Sequence, residues 1–365
     1  MDVAIVGLPA SGKTAVFQAL TAGHGSATAD GQLGMVKIPD VRLDKLAVLV
    51  SAKKVTPLEV RLFDLPPLFI RADGRPSGRG AAPSGEAADT LARADALLHV
   101  VRAFDRNDVP HPSGSVDADR DVAAFDAELM LNDLAIIERR LEKLDITVRS
   151  GRPAEREAGE REMVLLNRCR ALLESEKPLR DAVSDPQDVK GLSNYGLLSL
   201  KPVLIVVNVD ESRAGEIEAV ETAFGDRHNK TGTGCTAMCA KLEAELAELS
   251  AEDAAEFREE LGAVEGGSER LLGKLMLLLG LVTFFTAGEK ETRAWTVTAG
   301  GSALQAAGRI HTDIERGFIR AEVIGWEELL EYGTHAEARK HGKLRTEGKT
   351  YVVQDGDVMN VLFNV

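Results

Sequence analysis

The chain has 365 residues, with 44 Lys or Arg against 58 Asp or Glu and a formal net charge of -14. Hydrophobic residues make up 44% and charged residues 28%, which excludes wholesale disorder and fibrous architectures and leaves room for two or three domains. The acidic balance excludes indiscriminate attraction to nucleic-acid phosphates over the whole surface, so any contact with RNA rests on local basic patches.

Asp2 to Val6 is a Val- and Ile-rich run that predicts a strand. It is followed by Gly7-Leu-Pro-Ala-Ser-Gly-Lys-Thr14 and a helical pattern from Ala15 to Leu20. Further strands are predicted at Val60 to Phe63, Ala96 to Val101 and Pro202 to Val207, compact apolar runs suited to parallel strands covered on both faces. From Met130 the apolar residues Leu134, Ile137, Leu141 and Leu144 recur at helical spacing, break at Ser150-Gly-Arg-Pro153, and resume with Leu165, Cys169 and Leu172. This reads as an antiparallel helical hairpin inserted into an α/β domain. A Glu-rich helix at Lys241 to Leu249 and another ending near Gly280 follow. From Trp295 the texture is strand and turn around a helix at Ala303 to Ile310, closing with Tyr351 to Val353 and Val358 to Phe363.

The opening residues carry no basic stretch ahead of a long apolar one, and no apolar run approaches the roughly 18 residues of a membrane span, so a cytoplasmic chain with no membrane partner is expected. The three cysteines, Cys169, Cys235 and Cys239, suit a reducing compartment and lack the companions of a zinc site.

Gly7, Gly12, Lys13 and Thr14 complete the phosphate-loop pattern G-x-x-x-x-G-K-[ST] in its required strand-to-helix context. Its glycines let backbone N–H groups turn toward phosphate oxygens, Lys13 brings a point charge, and the Thr14 hydroxyl is a ligand for Mg²⁺. The nucleotide contacts expected here are Gly7, Leu8, Pro9, Ala10, Ser11, Gly12, Lys13, Thr14 and Ala15. Asp64, ending the run Arg61-Leu-Phe-Asp64, is the second expected Mg²⁺ ligand, and no other metal is expected. Base reading falls to Asn208-Val-Asp-Glu211, where guanine-specific proteins of this class have N-K-x-D. Asn208 offers an amide to a purine edge, but Val209 lacks the Lys stem that covers the ring, and Glu211 is a methylene longer than Asp. ATP is therefore favoured and GTP stays open. Cys239 and Ala240 are expected to complete the base pocket through their backbone.

With these parts in order, the chain resembles the Obg-like ATPase (YchF) family. The resemblance is carried nearly end to end by the phosphate loop, Pro39 to Leu46, Asn208 to Glu211, Lys241 to Leu249, Gln305 to Asp313, Gly317 to Val323 and Glu347 to Asp357. It implies an α/β, GTPase-like sheet domain that prefers ATP, a coiled-coil insertion and a C-terminal β-grasp (TGS) domain. The expected boundaries are 1–122 with 197–288 for the nucleotide-binding domain, 123–196 for the hairpin and 289–365 for the last domain. The resemblance also implies association with ribosomes, and a monomer is expected.

Several residues depart from the family pattern. After Asp64 the family has D-x-x-G, and Pro67 here has no N–H to give a γ-phosphate. Leu68 keeps a hydrophobic residue where other GTPases place a water-orienting Gln, and it joins Lys13 as a catalytic candidate. A family glycine-rich signature has become Arg71-Ala-Asp-Gly-Arg-Pro-Ser-Gly-Arg-Gly80, and Ala10 replaces the usual Asn. Thr28 matches the family Thr that closes over Mg²⁺. A nucleotide-dependent switch with slow ATP hydrolysis is expected, against the alternatives of a scaffold that binds nucleotide without hydrolysis and a GTPase. Candidate ribosome contacts are Arg320, Arg339, Lys340 and Lys343. His311 and Asp313 are expected to be structural or to touch a partner.

Overall fold

The structure, a computed structural model, describes residues 1–28, 31–68, 85–106, 108–250, 253–254, 256–257 and 266–364. Two units divide the chain: residues 1–36 with 61–275, and residues 37–60 with 276–365.

The first unit is built on a seven-stranded sheet. Its strands are β1 (Asp2–Val6), β2 (Gly25–Thr28), β3 (Gly31–Ile38), β5 (Leu58–Asp64), β6 (Ala96–Ala103), β7 (Val203–Val209) and β8 (Thr233–Met238), in the order β2-β3-β5-β1-β6-β7-β8. β1 pairs in parallel with β5 and β6, and the ladder continues in parallel through β7 to β8. β7 is buried along its whole length and β6 at all but its last residue, which is why both read in the sequence as continuous apolar runs. The chain leaves β1 between β5 and β6, where strand order reverses. Loops at the carboxyl ends of the strands flanking such a reversal form the usual ligand crevice of a parallel sheet. The phosphate loop, Asp64, Phe104, Asn208 and Cys239 all follow or end strands at that edge.

The helices in chain order are α1 (Lys13–Thr21), α2 (Val41–Leu49), α3 (Glu86–Arg93), α4 (Ala118–Ser150), α5 (Pro153–Glu174), α6 (Pro186–Leu192), α7 (Ile217–His228), α8 (Ala240–Leu246) and α9 (Gly267–Leu278). The two long ones form the expected hairpin, and the 33 residues of α4 give it a length of about 50 Å. Arg152 caps α5, Pro153 occupies its first turn, and the break falls where the sequence placed it. Ile137, Leu141 and Leu144 of α4 close on Leu166, Cys169 and Leu173 of α5. The seam on α5 is one residue displaced from the expected Leu165 and Leu172, which lie partly buried beside it. α4 also begins earlier than expected: its first turns carry Val122, Phe125 and Leu129 into the core under the sheet. At its root, fully buried Asp133 accepts from the backbone N–H of Leu198 (2.8 Å) and Ser199 (2.7 Å), which ties the hairpin to the segment entering β7. The hairpin therefore counts with the sheet as one unit.

The second unit holds a six-stranded mixed sheet in the order β12-β11-β13-β9-β10-β4, from β4 (Val55–Thr56), β9 (Leu281–Thr286), β10 (Thr292–Thr298), β11 (Phe318–Gly325), β12 (Arg345–Glu347) and β13 (Asp357–Phe363). Its helices are α10 (Ala303–Ile310), α11 (Thr312–Arg316), α12 (Trp326–Tyr332) and α13 (His335–Lys340). The expected boundary at 289 falls earlier, at 276, and residues 37–60 join this unit. The physical reason is α2, whose Leu43 and Leu46 are buried in a cluster with Phe285, Ala294, Ile324 and Leu329. β4 adds to the edge of the same sheet by pairing Val55 with Thr292 and Thr56 with Arg293.

His311 accepts at Nδ1 from the Asp313 N–H at 3.1 Å and caps α11, so the pair is a structural cap. Arg339, Lys340 and Lys343 form ion pairs with Glu322, Glu337 and Glu328, which reduces the free positive charge that the sequence suggested for a ribosome contact. Trp295 donates to Thr286 Oγ1 and carries the Arg293 guanidinium over its ring. Among the described residues no helix is long and apolar enough to cross a membrane.

Candidate functional site

The phosphate loop owes its shape to its glycines. Gly7 has φ +146, and a Cβ there would meet the Val100 carbonyl oxygen at 2.4 Å; Gly12 has φ +96, and a Cβ would meet Asn208 Nδ2 at 2.1 Å. Neither position takes a side chain without moving a neighbour. Ala10 between them also lies in the left-handed region, at φ 60. Lys13 is 8% exposed, and its Nζ donates to the carbonyls of Gly7 (3.1 Å) and Leu8 (3.2 Å). Burial pulls its ammonium down to about 8, offset in part by the Asp64 carboxylate.

Thr14, on the first turn of α1, donates from Oγ1 to Asp64 Oδ2 at 2.9 Å. Burial pushes the Asp64 carboxyl up, against the Thr14 hydrogen bond and the Lys13 charge. Asp64 Oδ1 and Ser11 Oγ are buried without a hydrogen-bond partner. An orphaned carboxylate oxygen beside a hydroxyl is a hard oxygen donor set, and it fits Mg²⁺, which keeps several waters and takes few protein ligands. Among the described residues no three His, Cys, Asp or Glu side chains gather as a metal cage.

Thr28 ends β2 on the surface opposite Gly31. Gly31 lies so close to the Asp64 carbonyl that a Cβ would come within 2.0 Å, so the end of the β2–β3 hairpin abuts the strand end that carries Asp64. The Thr28 side chain itself faces solvent. Pro67 is exposed, and Arg71 to Gly80 fall outside the described residues. Leu68, carried as a catalytic candidate, is a core residue: it is 8% exposed within the apolar cluster that includes Leu65, Leu91 and Leu97. It packs, and brings no polar group to a reacting water.

Beside the loop opens a cavity of about 600 Å³, within the range of small-molecule sites. Ala10, Gly12 and Ala15 line it from the phosphate loop and α1, Val209 from the end of β7 and Glu211 from the segment after it. Asn208, expected to contact the purine, lines the cavity and also ties two loops together. Its Nδ2 donates to the Ser11 carbonyl and its Oδ1 accepts from the Ala240 N–H, each at 3.0 Å. It is 4% exposed and clamps two loops together. The Ala240 N–H is thereby taken, while Cys239 lines the cavity as a buried thiol whose pKa burial raises. Glu211 is paired with Lys241, whose Nζ lies 2.7 Å from its carboxylate, and both line the cavity. The sequence reading missed Phe104, Arg106 and Val109, which form the wall after β6. Their one signal was position, at the end of a buried parallel strand next to the phosphate-loop strand.

The protein named ribosome-binding ATPase YchF of Bacillus subtilis (strain 168) is 39% identical over 373 residues, covering 100% of both chains. The protein of the same name in Escherichia coli O157:H7 is 37% identical over 367 residues, covering 99% of this chain and 98% of that one. The chain belongs to the YchF family. A family model, YchF-GTPase_C, described as a protein of unknown function, matches residues 281–364. The solved structure of the Schizosaccharomyces pombe YchF GTPase superposes with a TM-score of 0.79 at 29% identity, covering 99% of this chain and 97% of that one. The α/β sheet with its phosphate loop and a further C-terminal unit is thus the YchF architecture, over the full length of these relatives.

Proposed function

We propose that the chain is a nucleotide-dependent switch that binds ATP with Mg²⁺, hydrolyses it slowly and associates with the ribosome. The observation that carries the reading is the Thr14–Asp64 pair, with its orphaned carboxylate oxygen, at the phosphate loop beside a base-sized cavity. Thr14 and Asp64 would hold the Mg²⁺, which supplies neutralisation of phosphate charge when bound. Lys13 exchanges its two loop carbonyls for phosphate oxygens, and the loop N–H groups orient the chain of phosphates. ATP is favoured because Glu211, the acceptor a guanine would need, is engaged by Lys241. The relatives' name, ribosome-binding ATPase, supports the ribosome as partner.

Slow hydrolysis follows from what surrounds the γ-phosphate position. Pro67 has no N–H, and Leu68 is packed in the core, so among the described residues after Asp64, 65–68, no side chain has a polar group to orient a water. Pro67 also favours the second reading, a scaffold that holds ATP without cleaving it. Single-turnover hydrolysis of pre-bound ATP, with Lys13→Ala as the contamination control, separates the two: phosphate release that depends on Lys13 supports the switch, and its absence leaves the scaffold. Co-sedimentation with ribosomes, with and without ATP and Mg²⁺, tests the partner; pelleting no greater than that of an unrelated acidic protein would remove it.

A further inference from the structure

Arg102, near the end of β6, is 2% exposed and heads the fully buried side chains in size. Its guanidinium is spent on main-chain carbonyls: Nε donates to Phe104 O at 3.0 Å, Nη1 to Val109 O at 3.0 Å and Nη2 to Arg106 O at 3.4 Å. It also lies over the Phe104 ring, 4.7 Å from the centroid. The three residues that accept these bonds are the same three that wall the cavity on that side. Burying a cation whose hydrogen bonds all go to carbonyls is costly even with the Asp108 carboxylate near enough to feel its charge, and only the forked guanidinium reaches three divergent acceptors at once; a Lys in its place offers one compact ammonium. Farther along the same loop, His111 donates from Nε2 to the buried Asp121 carboxylate at 2.9 Å and accepts at Nδ1 from the Ser113 N–H at 3.1 Å, which holds the segment leading into α4.

We infer that Arg102 is the positioning residue of the base wall: it fixes Phe104, Arg106 and Val109 in the arrangement that receives the heterocycle, without touching nucleotide itself. The inference rests on the reading of this cavity as the base site. It sets Arg102 apart from Lys13, Thr14 and Asp64, because its effect passes only through the base half of the ligand.

The test compares two probes on the full-length protein by calorimetric titration with Mg²⁺: ATP, and inorganic tripolyphosphate, which has the phosphates and no base. Arg102→Lys keeps the charge and loses the fork, while Phe104→Ala removes the aromatic part of the wall and keeps Arg102. Each is expected to weaken ATP by about tenfold or more and to leave tripolyphosphate within about twofold. In the double variant the loss should fall well short of the sum of the two single losses, because Arg102 acts in part through Phe104. Equal weakening of both probes by Arg102→Lys, or losses that add in the double variant, would overturn the inference. Wild-type protein that binds ATP no better than tripolyphosphate would instead sink the base-site reading, and the inference with it.

Discussion

The Thr14 hydroxyl donates to the Asp64 carboxylate over 2.9 Å and joins the first turn of α1 to the end of β5, 50 residues on, leaving the other carboxylate oxygen buried and unpartnered. Asp64→Asn keeps the shape and one acceptor oxygen but removes the charge that a divalent cation needs. Titration of ATP into this variant should lose the Mg²⁺-dependent part of the affinity, about tenfold or more, and match the wild type in the presence of EDTA. An undiminished gain from Mg²⁺ would assign the metal to other residues.

Asn208 holds the Ser11 carbonyl and the Ala240 N–H with the two ends of one amide. Asn208→Ala leaves both buried groups unmatched, at a cost of about 1–3 kcal/mol each. Urea denaturation without nucleotide should show lowered stability, and ATP affinity should fall with it because the phosphate loop and the loop before α8 lose their tie. A variant as stable as the parent would mean that water replaces the amide.

The ion pair between Lys241 and Glu211 sits on the wall of the cavity and is largely open to solvent, so it contributes little to stability. Its expected effect is on base choice. Lys241→Met frees the carboxylate to accept from the N–H edge of guanine, and competition titrations should then show the ATP-over-GTP ratio reduced by about threefold or more. An unchanged ratio would take Glu211 out of base discrimination.

His99 is 1% exposed on β6, stacked on Phe125 with ring centroids 4.1 Å apart, and its Nε2 has no partner. Burial, together with the charges of Arg180 and Lys13, pulls it down from 6.5 to about 3. Between these values the unfolded chain binds a proton that the folded chain refuses. Stability therefore falls as pH drops through that window, by at most about 1.4 kcal/mol per pH unit, and nothing is lost above it. His99→Phe should flatten the pH dependence of urea unfolding between pH 7 and pH 5 by one proton's worth. Identical slopes in the two proteins would place the acid sensitivity elsewhere.

The parallel strands were legible because burial on both faces writes them as unbroken apolar runs, as in Ala96 to Ala103, and the phosphate loop because two glycine positions with positive φ have a fixed spacing. The hairpin break was legible through Ser150-Gly-Arg-Pro153. Strand β9 was hidden because Leu281 to Thr286 follows the apolar end of α9 without a polar break, and the β2–β3 hairpin because its exposed, Gly-containing first strand has no apolar rhythm. At the site the chemistry of each side chain was readable and its partner was not. Asn208 spans 197 residues to Ser11, and the carbonyls that surround Arg102 carry no side-chain signature at all. Leu68 was assigned by analogy of position, and only packing shows it to be interior.

Residues 37–60 run from the end of β3 to the first part of β5, between Thr28 and Asp64 in sequence, yet they count with the second unit, where Leu43 and Leu46 are 2% and 0% exposed among its core residues. Cutting the chain at 275 would not release a clean nucleotide-binding fragment. It would leave in the middle of that fragment an amphipathic helix stripped of its apolar partners, and a β4 with no neighbour to bond. Gene fusions, deletions and expression fragments that respect only linear order would inherit this exposed seam as an aggregation hazard, so the two units are constrained to be lost or kept together.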